Sequence, residues 1–112
     1  MRVALDYDGT YTLDPKLWDT FIALFEANNH TVCIVTFRDE RYDRTDLLDK
    51  LSTYIPVYYT RGVAKKWWYE QFGTGDVDVW IDDTPEALLH NSAFPKDKLE
   101  EWREDNKRID VA

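Results

Sequence analysis

Residues 3–10 read VALDYDGT, a short apolar run that ends in two carboxylates and a glycine. The apolar part predicts a buried β-strand, and the carboxyl ends of parallel strands form the edge where α/β sheets bind ligands. Asp6 and Asp8 are two residues apart, so on an extended chain they share one face. Carboxylates this close repel each other unless a cation or a proton compensates them. The stretch therefore predicts a divalent-metal site that handles phosphate, with a solvated acidic turn as the alternative.

The composition limits the classes of protein to which the chain can belong. Its 112 residues predict a single domain over 1–112. The formal charge of −8 disfavours nucleic acid as a partner, because sequence-independent binding uses Lys and Arg to neutralise phosphates. Cys33 is the one cysteine and cannot form an internal disulfide, and no apolar run approaches the roughly 18 residues of a membrane helix. We therefore expect a cytoplasmic protein without a membrane partner, and its oligomeric state stays open.

The rest of the chain predicts alternating strands and helices, the pattern of a parallel sheet with right-handed crossovers. The predicted strands cover residues 2–5, 30–37, 57–59 and 77–81, with a short edge strand at 108–111. Helices are predicted after Asp14, Thr45, Gly62 and Thr84, and a further one at 95–106. Three of these residues are predicted helix caps, because their side-chain oxygens accept from amides of the first turn: Asp14, Thr45 and Thr84. In the helix after Thr84, Leu88 and Leu89 are the predicted buried side.

Polar residues follow three predicted strands and begin one predicted helix, so a parallel sheet would bring them to one edge. They are Asp6 and Asp8, Thr36, Asp82 and Asp83, and either Lys65 or Lys66. Consecutive helical residues point about 100° apart, so only one lysine faces the site, and we favour Lys65 because it lies nearer the Gly62 turn. A phosphate dianion approaches these carboxylates only if a metal ion and a cation reverse the local charge. Mg²⁺ prefers such hard oxygen ligands.

This order of residues resembles the four motifs of the haloacid dehalogenase-like (HAD) phosphohydrolases. Residues 6–10, DYDGT, match the first motif, Asp-x-Asp-x-Thr, and Thr36 matches the second. A lysine at Lys65 or Lys66 matches the third motif, and the acidic pair at 82–83 matches the fourth. The resemblance covers roughly residues 1–90, and it implies a doubly wound, Rossmann-like parallel sheet with helices on both faces.

The resemblance also implies a chemistry, the Mg²⁺-dependent hydrolysis of a phosphomonoester through an aspartyl-phosphate. Asp6 would be the nucleophile, and Asp8 would protonate the leaving oxygen and then deprotonate the attacking water. The lysine would neutralise charge on the nucleophile and the phosphate. The implied metal ligands are Asp6, the backbone carbonyl of Asp8, Asp82, and Asp83 directly or through water.

Further residues are predicted to bind the substrate. The resemblance implies that Thr36 hydrogen-bonds a phosphoryl oxygen, and Gly9 with Thr10 would turn the backbone so that amide hydrogens face the phosphate. Phe37 is the last residue of the second predicted strand and Arg38 follows it, and Arg38 either contacts the phosphate or pairs with Asp39 or Glu40. Aromatic residues could ring the site or pack on the sheet: Tyr11, Phe37, Tyr42, Trp67 and Trp68.

The chain departs from the family in having no room for a cap domain. A predicted helix begins directly after Asp14, and the interval from Thr36 to Lys65 holds only a helix and a strand. An open site leaves the substrate undecided between a nucleotide or other phosphorylated metabolite and a macromolecular phosphate, on a nucleic-acid end or a phosphoprotein. Two non-enzyme alternatives are a non-catalytic phosphate-binding module and a receiver domain. The motif order disfavours a receiver, because in receivers the lysine comes last.

Overall fold

The computed structural model describes residues 1–92, and the predicted helix at 95–106 and strand at 108–111 lie outside them. Within that range the chain is an α/β domain with four parallel strands. They are β1 (Arg2–Leu5), β2 (Thr31–Thr36), β3 (Val57–Tyr59) and β4 (Val79–Ile81). Their order across the sheet is β3-β2-β1-β4. The bounds of β1 and β3 confirm the prediction, and β2 and β4 are shorter than predicted.

Helices separate and follow the strands. They are α1 (Pro15–Ala27), α2 (Asp46–Leu51), α3 (Lys65–Phe72) and α4 (Glu86–Leu89), and a 3-10 turn spans Tyr11–Leu13. Between β1 and α1 the chain forms only this turn, and between β2 and β3 it forms a loop and α2. None of the helices within 1–92 combines the length and the apolar character needed to cross a membrane.

Side-chain caps start the first two helices where the sequence predicts them. The Asp14 carboxylate accepts from the Leu17 amide at 3.2 Å, and Pro15 occupies the first helical position. The Thr45 hydroxyl accepts from the Leu48 amide at 3.1 Å. Each cap satisfies an amide that has no partner inside its own helix, which fixes where the chain turns into the helix.

The predicted start and buried side of α4 are wrong in part. The helix begins after Pro85, and the Thr84 amide instead donates to Asp82 Oδ1 at 2.9 Å. Ala87 is the buried residue, whereas Leu89 is 69% exposed. A helix of four residues makes about one turn, so only a narrow side of it faces the domain.

Two apolar clusters cover the two faces of the sheet. Because successive residues of a strand point to opposite faces, Leu5 and Ile34 lie in one cluster, and Ala4 and Cys33 lie in the other. The first cluster takes its helical residues from α1 and α2, and the second takes Tyr69 from α3. Tyr11 is one of the aromatic residues that were predicted either to surround the site or to pack on the sheet. It packs in the core of the first cluster and is 1% exposed.

The strand register brings the ends of neighbouring strands together. Leu5 of β1 pairs with Ile34 of β2 and with Ile81 of β4. The ladder continues one step beyond the strand, because the Asp6 amide donates to the Ile81 carbonyl at 2.9 Å. The residue after β1 and the residue after β4 are therefore neighbours at one edge of the sheet.

Candidate active site

A buried lysine joins the carboxylates that follow β1 and β4. Lys65 Nζ donates to Asp6 Oδ1 and to Asp82 Oδ2, both at 2.6 Å. Lys65 is 2% exposed and Asp6 is 7% exposed, so water screens these contacts little. Lys65 is the first residue of α3, and the next residue, Lys66, is only half-buried. The structure thus brings the favoured lysine to the site.

Three carboxylates form an acidic cluster at this edge: Asp6, Asp82 and Asp83. One oxygen from each lies within 4.8 Å of the others. Thr10 links two of them, because its Oγ1 lies 3.2 Å from both Asp6 Oδ2 and Asp83 Oδ1 and accepts from the Asp83 amide at 3.2 Å. The Asp8 carboxylate is not part of this cluster. The predicted ligand of that residue is its backbone carbonyl, which stays a prediction.

The protonation of the cluster reflects its burial. Burial raises the pKa of Asp6 to about 7, although the positive charge of Lys65 acts in the opposite direction. A hydrogen bond between Asp6 and Asp83 raises the pKa of Asp6 further and lowers the pKa of Asp83. One positive lysine therefore does not compensate the carboxylates, and the cluster favours either a proton or a cation.

The donor set fits Mg²⁺. Carboxylate oxygens are the hard ligands that Mg²⁺ prefers, and a site with few protein ligands lets the ion keep several waters. Lys65 occupies one oxygen of Asp6 and one of Asp82, while Asp6 Oδ2 and the Asp83 carboxylate lie on the Thr10 side of the cluster. Asp6 and Asp83 are thus the residues best placed to hold the ion, with Asp82 next to them.

The turn after β1 lies directly against Asp83. Gly9 has φ +78°, and a Cβ added there would lie 2.8 Å from Asp83 Cγ. Only glycine satisfies both the left-handed backbone and this close approach. The Gly9 amide donates to Thr12 Oγ1 at 3.0 Å, and the Thr10 amide donates to the Tyr7 carbonyl at 3.4 Å. The Gly9 and Thr10 amides thus have partners within the turn, and which amides of the turn would face a phosphate stays a prediction.

Asp8 pairs with Arg38. Arg38 Nε and Nη2 donate to the two carboxylate oxygens of Asp8 at 2.8 and 2.7 Å. The predicted partners of Arg38 bind other residues, since Asp39 accepts from Arg41 and Glu40 accepts from Arg61. The hydrogen bonds that Arg38 donates to Asp8 raise the pKa of the Arg38 guanidinium.

Thr36 and Phe37 lie beside these pairs. Thr36 is 1% exposed, and its hydroxyl accepts from the Arg38 amide at 3.2 Å. The Phe37 ring centroid is 5.4 Å from Lys65 Nζ, a cation–π distance. Of the two tryptophans on α3, Trp68 packs on the second apolar cluster and Trp67 is 48% exposed.

Sequence reasoning missed Asn91. Its Oδ1 accepts from the Ala64 amide at 3.0 Å, and the neighbouring Ser92 amide donates to the Gly62 carbonyl at 2.7 Å. These bonds tie the segment after α4 to the loop that leads into α3, and Lys65 is the next residue. The sequence signals the turn at Gly62 but gives no sign of a partner 27 residues beyond Ala64.

Comparisons with protein-family models, with curated proteins and with solved structures find no match to this chain.

Proposed function

We propose that this protein is a Mg²⁺-dependent phosphatase of the HAD type, which hydrolyses a phosphomonoester through an aspartyl-phosphate intermediate. The observation that carries the proposal is the buried bridge from Lys65 to Asp6 and Asp82, next to Asp83. Residues from three separate parts of the chain meet there, and their order along the sequence is that of the family's motifs. The strand order, with β4 beside β1 and α3 on the opposite face from α1 and α2, supports the doubly wound topology without a cap.

In the proposed reaction Asp6 is the nucleophile. One of its carboxylate oxygens attacks phosphorus while the bond to the leaving oxygen breaks, and Asp8 gives that oxygen a proton. Asp8 then takes a proton from a water that attacks phosphorus, and the bond to Asp6 breaks to release phosphate. Lys65 neutralises charge at Asp6 and on the phosphoryl group. Mg²⁺, held by Asp6, Asp83 and Asp82, would supply charge compensation for the transferring phosphoryl group.

The proposed substrate is a phosphorylated small molecule such as a nucleotide. Asp8 has a side chain that is 52% exposed, so the acid of the reaction stands at an open surface. The net charge of −8 speaks against a nucleic-acid end, because such a substrate brings many phosphates towards an acidic protein.

Turnover of p-nitrophenyl phosphate with Mg²⁺ tests the proposal, with Asp6→Asn as the variant and Asp49→Asn as its control. Asn has the size of Asp but no attacking charge, so we expect a loss of about a thousandfold or more in kcat. Asp49 lies on α2 in an exposed pair with Arg44, so Asp49→Asn changes the net charge equally and should keep its activity. Mass spectrometry of acid-quenched wild-type protein should detect a phosphorylated Asp6. A folded Asp6→Asn protein with wild-type turnover would contradict the mechanism, and no turnover by wild type would favour the phosphate-binding module.

A further inference from the structure

The pair formed by Asp8 and Arg38 lies in the path of the proposed reaction. Both oxygens of Asp8 accept hydrogen bonds from the Arg38 guanidinium, at 2.7 and 2.8 Å. Two hydrogen bonds from one guanidinium fix the direction in which the Asp8 carboxylate points, so Asp8 cannot turn towards a leaving oxygen while both bonds hold. The pair must therefore open before Asp8 can take part in the reaction.

The guanidinium itself is held in place by more than Asp8. Arg38 Nη1 donates to the Asp43 carbonyl at 2.9 Å, and its Cζ lies 5.4 Å from the centroid of the Tyr7 ring. Neither contact involves Asp8, so both remain available to hold Arg38 when Asp8 turns away. Arg38 then presents Nε and Nη2, the fork that matches two oxygens of a phosphate.

The Asp8–Arg38 pair is also weakly held. Its side chains are 31% and 52% exposed, and ion pairs in such positions contribute little to stability because water and salt screen them. A phosphate dianion offers the same two-oxygen geometry as a carboxylate and carries more charge. A phosphate dianion can therefore compete with the Asp8 carboxylate for Arg38.

We propose that the Asp8–Arg38 pair is an exchangeable latch that the substrate's own phosphate opens. Arg38 transfers its two hydrogen bonds from Asp8 to phosphate oxygens, and Asp8 becomes free to turn towards the leaving oxygen. The inference rests on the proposed function, and it assigns Arg38 as the residue that detects a phosphate dianion. It also explains how an acid at an exposed surface acts only when a substrate is present.

A double-mutant cycle on orthophosphate binding tests the latch. Calorimetric titration of the Mg²⁺-loaded protein gives the dissociation constant for wild type, Arg38→Gln, Asp8→Asn and the double variant. If Asp8 and phosphate compete for Arg38, Arg38→Gln weakens binding more in the Asp8→Asn background than in wild type, by about fivefold. If both side chains act only through their charges, the two effects are additive and the latch is overturned.

The chain offers a matched control pair, Arg44 and Asp49. Arg44, just before α2, donates from Nε and Nη2 to the two oxygens of Asp49 on α2 at 2.9 and 3.1 Å, the same two-oxygen geometry. The cycle of Arg44→Gln with Asp49→Asn should show no coupling in phosphate binding. Arg38→Lys keeps the charge without the fork, so it should bind phosphate about as weakly as Arg38→Gln. An Arg38→Lys protein with wild-type affinity overturns the proposal.

The results separate the latch from the function on which it rests. Additive effects in a protein that hydrolyses p-nitrophenyl phosphate overturn the latch alone. A wild-type protein that neither binds orthophosphate nor hydrolyses the ester overturns both. Thermal melts of each variant check folding, and the half-exposed positions of Arg38 and Asp8 make loss of the fold an unexpected result.

Discussion

Two ionic contacts lie at the same edge of the sheet, a deep bridge and a shallow pair. In the deep bridge, Lys65 holds Asp6 and Asp82, and all three side chains are less than a tenth exposed. In the shallow pair, Arg38 holds Asp8 and the side chains are a third to a half exposed. The deep bridge joins the ends of β1 and β4 to the first residue of α3, whereas the shallow pair joins two loops. Burial therefore makes the deep bridge a fixed part of the fold, whereas the shallow pair is open to water and solutes.

Removal of the lysine should give the largest effect. Lys65→Met keeps the length of the side chain but leaves buried carboxylates without their cation, which costs about 3–5 kcal/mol when a buried pair is broken. Lys66→Met, one residue along the same helix, should change stability by less than about 0.5 kcal/mol. Urea unfolding with a chelator measures both. Equal losses in the two variants would contradict the assignment of Lys65 as the buried bridge.

The pH dependence of stability should come next in size. In protein kept free of divalent metal, Asp6 has a folded-state pKa of about 7 against its ordinary value of 3.8. Its contribution to stability is therefore complete at low pH and is lost as the pH rises through about 7, a change on the order of 1–3 kcal/mol. Urea unfolding at several pH values should show a smaller fall in Asp6→Asn than in wild type. An unchanged fall in Asp6→Asn would assign the pH dependence to another group.

Two glycines allow a matched test of the turn. Gly9 and Gly75 have φ near +78° and +75°, so alanine at either position should cost about 1–2 kcal/mol. Only the Cβ at Gly9 meets Asp83, whereas at Gly75 it meets the Arg2 guanidinium. Differential scanning fluorimetry should show that Mg²⁺ raises the melting temperature of Gly75→Ala as it does wild type, and that of Gly9→Ala much less. Equal Mg²⁺-dependent shifts in Gly9→Ala and Gly75→Ala would contradict the proposal that Asp83 is a ligand of the metal ion.

The shallow pair should give the smallest effect on stability. Arg38→Gln should change the free energy of unfolding by less than about 1 kcal/mol, because exposed ion pairs contribute little. Arg44→Gln provides the comparison, since its pair has the same geometry and is also exposed. A loss in Arg38→Gln as large as that of Lys65→Met would show that the shallow pair is as fixed as the deep bridge.

The local elements of this fold could be predicted from the sequence. Apolar runs predict the strands, and Asp14 and Thr45 predict the starts of α1 and α2, because these signals act over a few residues. The position of Lys65 follows from its place in the first turn of α3. The exposure of the Leu89 side chain could not be predicted in this way, because a helix of one turn is too short for its apolar residues to show a helical period.

Contacts between loops could not be predicted. Arg38 and Asp8 are 30 residues apart, and their pairing depends on the conformations of two turns at once. The sequence offers Arg38 nearer carboxylates at Asp39 and Glu40, but Arg41 and Arg61 bind those. The hydrogen bond to Asn91 from the amide of Ala64, which lies just before Lys65, could not be predicted for the same reason. No local sequence pattern indicates a contact across 27 residues.

The pairing of β1 with β4 also sets the order in which the site can be assembled. Val3 pairs with Val79, so most of the described chain must be arranged before this last pair of strands closes. Parallel pairing across such a separation is slow compared with local contacts. During synthesis Asp6 emerges before Lys65 and Asp82, so it has no lysine beside it until α3 exists and no Asp82 beside it until β4 has docked. The acidic cluster is thus complete only after β4 has docked, and any local unfolding that detaches β4 disrupts it while the other three strands remain paired.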